Sequence, residues 1–265
     1  MASVSTSDRV RQVTVTVSEV FCVVGTLFGV GVLGTRVEES SGGTLAADAT
    51  LLAPAGPAFS IWSVIYLGLA VYTIWQWLPS QATRAVHRRI GYLAAVSMVL
   101  NASWLLVTQQ GWIWVSVGVI AALALVLGVL LSVLTAHREP SLADRIIIDG
   151  TFGLYLGWVA VATSANVTAA LVSSGIDPGA FVSDLVAVAV LVVVAVLGEV
   201  FARQLGGRHA VAAAMAWGLM WIAIARATDE PQSSLVSLAA GAVALIVTAS
   251  AVRHRSKTKR VAAGA

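Results

Sequence analysis

Eight residues on three apolar stretches carry the side chains best suited to hold a ligand. They are Trp62 and Tyr66 in AFSIWSVIY, Asn101 and Trp104 in LNASW, and Tyr155, Trp158, Ala162 and Asn166 in LYLGWVAVATSANVT. Trp and Tyr offer broad flat faces with one polar tip, and each Asn amide both donates and accepts. The spacings are helical, so each set shares one face of its helix. An aromatic wall with a few amides is the usual make-up of a pocket for a flat hydrophobic molecule. It is not that of a hydrolytic or metal centre. No Ser–His–Asp set, HExxH pair or phosphate-binding Gly loop occurs, and the single cysteine, Cys22, permits neither an intrachain disulfide nor a multi-cysteine metal site. No catalytic residue and no metal ligand is therefore expected, and no cofactor is required.

Each of these residues also has a plainer reading. Trp and Tyr gather at membrane interfaces without any ligand, and Trp75, Trp77, Trp112 and Trp114 read as that belt. An Asn within a span is often an interhelical hydrogen bond. Pro54 and Pro57, at the mouth of PAGPAFSIWSVIY, also suit the first turn of a helix.

The elements that position these residues follow from composition. The chain has 265 residues, 58% hydrophobic and only 11% charged, with a mean hydropathy of +0.88. That much apolar surface needs lipid as its solvent. Apolar runs of about 20 residues suit membrane-spanning helices, and their continuity excludes the alternating pattern of a β-barrel. The expected fold is all-α, a polytopic helical bundle with spans near 14–35, 58–78, 90–108, 112–135, 148–172, 182–202, 209–226 and 234–252. The brief link at 109–111 makes spans three and four a tight antiparallel hairpin.

Charge tests that count. With the N-terminus inside, the inner segments hold Arg9, Arg11, Arg84, Arg88, Arg89, Arg138, Arg145, Arg203, Arg208 and the five basic residues of the tail RHRSKTKR. Of the 16 Lys and Arg only Arg36 and Arg226 fall outside. This bias is the topology signal of an integral protein, expected in the cytoplasmic membrane with both termini cytoplasmic. The net charge of +3 is spread over short loops and the tail, so no nucleic-acid partner is expected. The first span is too long for a cleaved signal peptide. With this topology Trp62, Tyr66, Asn101, Trp104 and Asn166 lie in the outer half, with Trp158 near the middle, beneath the one long outer loop at 36–57. The four histidines, His87, His137, His209 and His254, lie at the opposite side.

Taken in order, AFSIWSVIY, LNASWLLV and LYLGWVAVATSANVT resemble the translocator protein family, also called tryptophan-rich sensory proteins (TspO/MBR). The likeness rests on Trp–x3–Tyr (Trp62, Tyr66), Asn–x2–Trp (Asn101, Trp104) and Tyr–x2–Trp–x3–Ala–x3–Asn (Tyr155, Trp158, Ala162, Asn166), on helices two, three and five. It covers about residues 14–173. It implies a five-helix bundle with a loop-capped pocket for a porphyrin, a haem-related tetrapyrrole or a sterol-like molecule. It also implies a sensing or trafficking role and a possible homodimer. Porphyrin breakdown is implied by the resemblance alone. Loop 36–57 lacks the aromatic residues usual in short members, and three further spans follow residue 173. The chain is thus divided into a ligand-binding bundle at 1–173, three added helices at 174–252, and a basic tail at 253–265.

The remaining features are read more simply. Glu199 and Arg203 form an i,i+4 ion pair. Trp217 and Trp221 are belt, core or a second aromatic wall. Arg226, with Asp229 and Glu230, forms a solvated interface cluster. The tail can touch anionic lipid. Spans two to five carry no central charge, which disfavours ion-coupled transport. A transporter of small apolar solutes, or a structural membrane protein without a ligand, remain the alternative readings.

Overall fold

The computed structural model describes residues 4–136, 141–176 and 178–263, with side chains described as far as Ser256. His137, Arg138 and the tail side chains Lys257, Lys259 and Arg260 lie outside these. The described residues form eight long helices and no strand: α1 (Thr6–Gly29), α2 (Ile61–Trp75), α3 (Ala85–Gln109), α4 (Ile113–Ala136), α5 (Thr151–Ser173), α6 (Ala180–Gln204), α7 (His209–Thr228) and α8 (Ser234–Ala263). All eight are long and apolar enough to cross a membrane. A π-helical segment, Asp144–Gly150, leads into α5, and a short 3-10 turn, Gly56–Ser60 with Pro57 in its first turn, leads into α2.

The first helix starts earlier than the hydropathy predicts. Ser5 caps it, its hydroxyl accepting from the Asp8 N–H while Asp8 reaches back to the Ser5 N–H. This reciprocal capping box satisfies two orphan donors and fixes the start well before the apolar run. Arg9 and Arg11 therefore lie within α1 rather than in a segment before it. Arg11 is buried, donating to Gln76 Oε1 and the Ala82 carbonyl at 2.8 Å each.

Small residues set how the helices meet. α1 lies along α3, where Gly25 comes so close that an added Cβ would stand 2.8 Å from the Ala102 Cα, and Gly91 makes room for Arg11 and Val15. α5 is central, flanked by α4 and α7 with α2 across it. Gly153 and Gly157 bring α5 against α7, where a Cβ on Gly157 would run into the Val211 carbonyl. Close backbone approach is how helices gain dispersion contact in lipid, where the hydrophobic effect gives them no drive to associate. α7 then packs on α8, and α8 on α6. The last helix continues unbroken through Arg253–Ser256.

Candidate ligand site

The aromatic residues converge as their spacing predicts. Trp62 stacks on Tyr66, with centroids 5.2 Å apart and planes 13° apart. Its edges meet Tyr155 at 5.9 Å and Trp158 at 6.2 Å, and Phe59 packs edge-on to Trp158 at 5.7 Å. Offset and edge-to-face pairs of this kind add about 0.5–1.5 kcal/mol beyond burial, which gives the wall a fixed shape. The amides serve different ends. Asn166 accepts from the Trp104 indole N–H at 3.1 Å and donates to Ser116 Oγ at 3.1 Å. Asn101 donates to the Tyr66 hydroxyl at 3.1 Å and lies 3.5 Å from Cys22 Sγ, leaving its own Oδ1 with no partner among the described residues. Tyr155 donates to the Ser97 carbonyl at 3.1 Å.

Two cavities flank this wall. The smaller, with about 40 Å³ of free space, lies under the first loop; Trp158, Ala162 and Asn166 form one side and Leu45, Ala46 and Pro54 another. The larger, with about 330 Å³, is lined by Trp62 and Tyr66 and by Thr26, Arg36 and Glu38. Val37, Phe59 and Trp104 line both and stand between them. Tyr155 and Asn101 line neither; they sit behind the wall and brace it. Among the eight residues singled out by sequence, Trp158 has a buried indole N–H with no partner among the described residues. A buried donor left unpaired costs about 1–3 kcal/mol, which an acceptor on a ligand would recover.

The loop over the smaller cavity is held by two helices. From α3, Gln109 donates to the Thr35 carbonyl at 2.6 Å and the Thr108 carbonyl accepts from Ser41 Oγ at 2.7 Å. From α7, the Arg226 guanidinium donates to the carbonyls of Thr50 at 2.8 Å and Ala47 at 3.0 Å. The Trp217 indole donates to the Ala58 carbonyl at 2.9 Å. Arg226 is 1% exposed. It is therefore no solvated interface cluster with Asp229 and Glu230: a guanidinium has five donors in a fixed fork, and two backbone carbonyls meet it inside the protein. The Glu199–Arg203 ion pair is present at 2.6 Å and is joined by Arg253 at 2.7 Å.

Sequence reasoning passed over Val37, Phe59, Arg36 and Glu38. Phe59 stands in the same short stretch as Trp62. The others sit in a loop whose Ser, Gly and Ala content gives no periodic signal. Glu19 was also missed, although it is the only acidic residue inside the first apolar run.

The family described as TSPO-like protein has a sequence model that matches residues 14–253, running through all eight helices rather than the first five alone. Neither a curated protein nor a solved structure matches the chain.

Proposed function

The chain belongs to the TSPO-like family, and from that premise we propose that it is a membrane receptor for a flat hydrophobic ligand, a tetrapyrrole first, bound where its two cavities meet. The observation that carries this reading is the partition of Val37, Phe59 and Trp104, apolar and shared by both cavities, beside the unspent indole donor of Trp158. Pockets for molecules of this size run to about 300–1,000 Å³. The smaller cavity falls far short of that and the larger only reaches its lower edge. A porphyrin therefore fits only when Phe59 turns aside and the two become one. In that merged pocket Trp62, Tyr66, Trp104 and Trp158 supply stacking, and the Trp158 N–H meets an acceptor on the ligand's rim. Arg36 and Glu38 mark the wet mouth. Tyr155, Ala162, Asn101 and Asn166 keep the wall in place. Sensing or trafficking suits such a site, whose walls are mostly aromatic and apolar.

Titrating the purified protein with protoporphyrin IX while following tryptophan quenching tests this. Saturable binding is expected, weakened about tenfold (about 1.4 kcal/mol) in Trp158→Phe, which keeps the ring and removes the donor. Asn101→Ala is expected to weaken binding less, since it acts through Tyr66. Binding indifferent to both changes would leave the aromatics as packing residues and sink the reading.

A further inference from the structure

The buried face of α1 carries a line of polar residues through the bundle: Asp8, Arg11 and Gln12, then Ser18, Glu19 and Cys22. At its lower end the charges are matched. Asp8 accepts from Arg88 at 2.7 Å, and Arg11 and Gln12 are bonded to Gln76 and the chain around it. Glu19 differs. It lies near the middle of the 24-residue helix, is 6% exposed, and its Oε2 is buried with no hydrogen-bond or ion-pair partner among the described residues. A carboxyl at that depth without a partner is costly, and no packing or pairing role accounts for it.

Its surroundings lead to the larger cavity. Thr26 and Tyr66 both line that cavity, and the Thr26 hydroxyl donates to the Cys22 carbonyl at 2.9 Å. Tyr66 is joined to Asn101, and Asn101 to Cys22, which sits one turn above Glu19 on the same face. The titratable groups close enough to influence or be influenced by Glu19 are Cys22 on its own helix, Tyr66 from α2 and Tyr155 from α5. From α3, the parallel register set by Gly25 against Ala102 puts the uncharged stretch 94–98 (AAVSM) beside it. The nearest cation on α1, Arg11, is two turns below and bonded elsewhere. Between them stands Val15, fully buried and apolar.

We propose that Glu19 is a proton-binding site at the middle of the bilayer, loaded from the larger cavity and sealed from the opposite face by the turn at Val15. A proton from cavity water bonds to the free oxygen Oε2, leaving hydroxide or neutral water behind according to its donor. A metal cation is a poor occupant, since hard cations take six or more oxygen ligands and no group of three or more His, Cys, Asp or Glu side chains that could hold one occurs among the described residues. The site stands on the cavity's lining and does not depend on which ligand the pocket takes. Any ligand that displaces the cavity's water also obstructs the route to Glu19, so pocket occupancy sets how fast the site exchanges its proton.

The test uses the full chain in liposomes. Infrared difference spectra taken while the pH on the cavity side is raised are expected to show loss of a carboxylic-acid band. That band is absent in Glu19→Gln and retained, shifted, in Glu19→Asp. With a pH-sensitive dye in the lumen, wild-type vesicles are expected to be as proton-tight as empty ones, whereas Val15→Ser vesicles leak several-fold faster and Val15→Ser/Glu19→Gln vesicles are tight again. A band that Glu19→Gln leaves in place, or that ignores pH while the protein stays folded, would overturn the proposal. So would a Val15→Ser vesicle that stays tight, or a leak that survives removal of the carboxyl.

Discussion

The first five helices and the last three are built from similar apolar stock and do different work. The two cavities at the aromatic wall lie among α1, α2, α3, α5 and the first loop, whereas the one described between α6, α7 and α8 holds about 10 Å³. In the first region polar atoms are left unspent: Trp158 Nε1, Asn101 Oδ1 and Glu19 Oε2. In the last, polar groups of α7 reach across to the other region, through Arg226 (whose Nε alone is left without a partner among the described residues), Trp217 and the Trp221 carbonyl, which accepts from the Ala55 N–H at 3.4 Å. The lesson is that a helix outside the aromatic wall can still serve it: α7 fastens the roof over the first region.

That contrast breaks most completely at the seam between the two regions. Gly157→Leu is expected to overpack α5 against α7, costing about 1–3 kcal/mol or more and lowering the thermal midpoint in detergent. Gly128→Leu on α4, where an added side chain meets open space, should change it by less than about 0.5 kcal/mol. Equal losses at both positions would mean that the seam is no special contact. Next in size is Arg226→Gln. It strands the Thr50 and Ala47 carbonyls, costing about 1–3 kcal/mol, and hydrogen exchange over residues 44–55 should quicken while the helices stay protected. Smallest is Trp217→Phe, which removes one bond to the Ala58 carbonyl at about 0.5–1.5 kcal/mol. A modest rise in porphyrin off-rate without loss of folding would place that indole in the roof's fastening. An unchanged off-rate would confine the fastening to Arg226.

How much of this was legible beforehand depends on the range of the interaction. The eight spans were readable because length and apolarity are local properties; their ends were less so, α1 running from Thr6 to Gly29 rather than over 14–35, where a cap outweighed hydropathy, and α8 continuing past 252. The meeting of Trp62, Tyr66, Tyr155 and Trp158 was foreshadowed by helical spacing on two helices, α2 and α5. The roof was not. Arg226 has Asp229 and Glu230 as sequence neighbours, which invites a local pairing, yet its partners are backbone carbonyls 176 and 179 residues earlier. A carbonyl belongs to every residue, so no side-chain pattern in loop 36–57 announces it. The same holds for the seat of Gly157 against Val211. A small residue in an apolar run fits a seam, a lipid face or a pocket equally well until the neighbour is known.

The fastening of the roof also orders events during synthesis. The carbonyl of Thr50 leaves the ribosome long before the guanidinium that holds it, 176 residues further along the chain. At about 5–20 residues per second, the nascent protein passes roughly 10–35 s with this loop held from α3 alone, through Gln109 and the Thr108 carbonyl. The second latch closes only once α7 has been made.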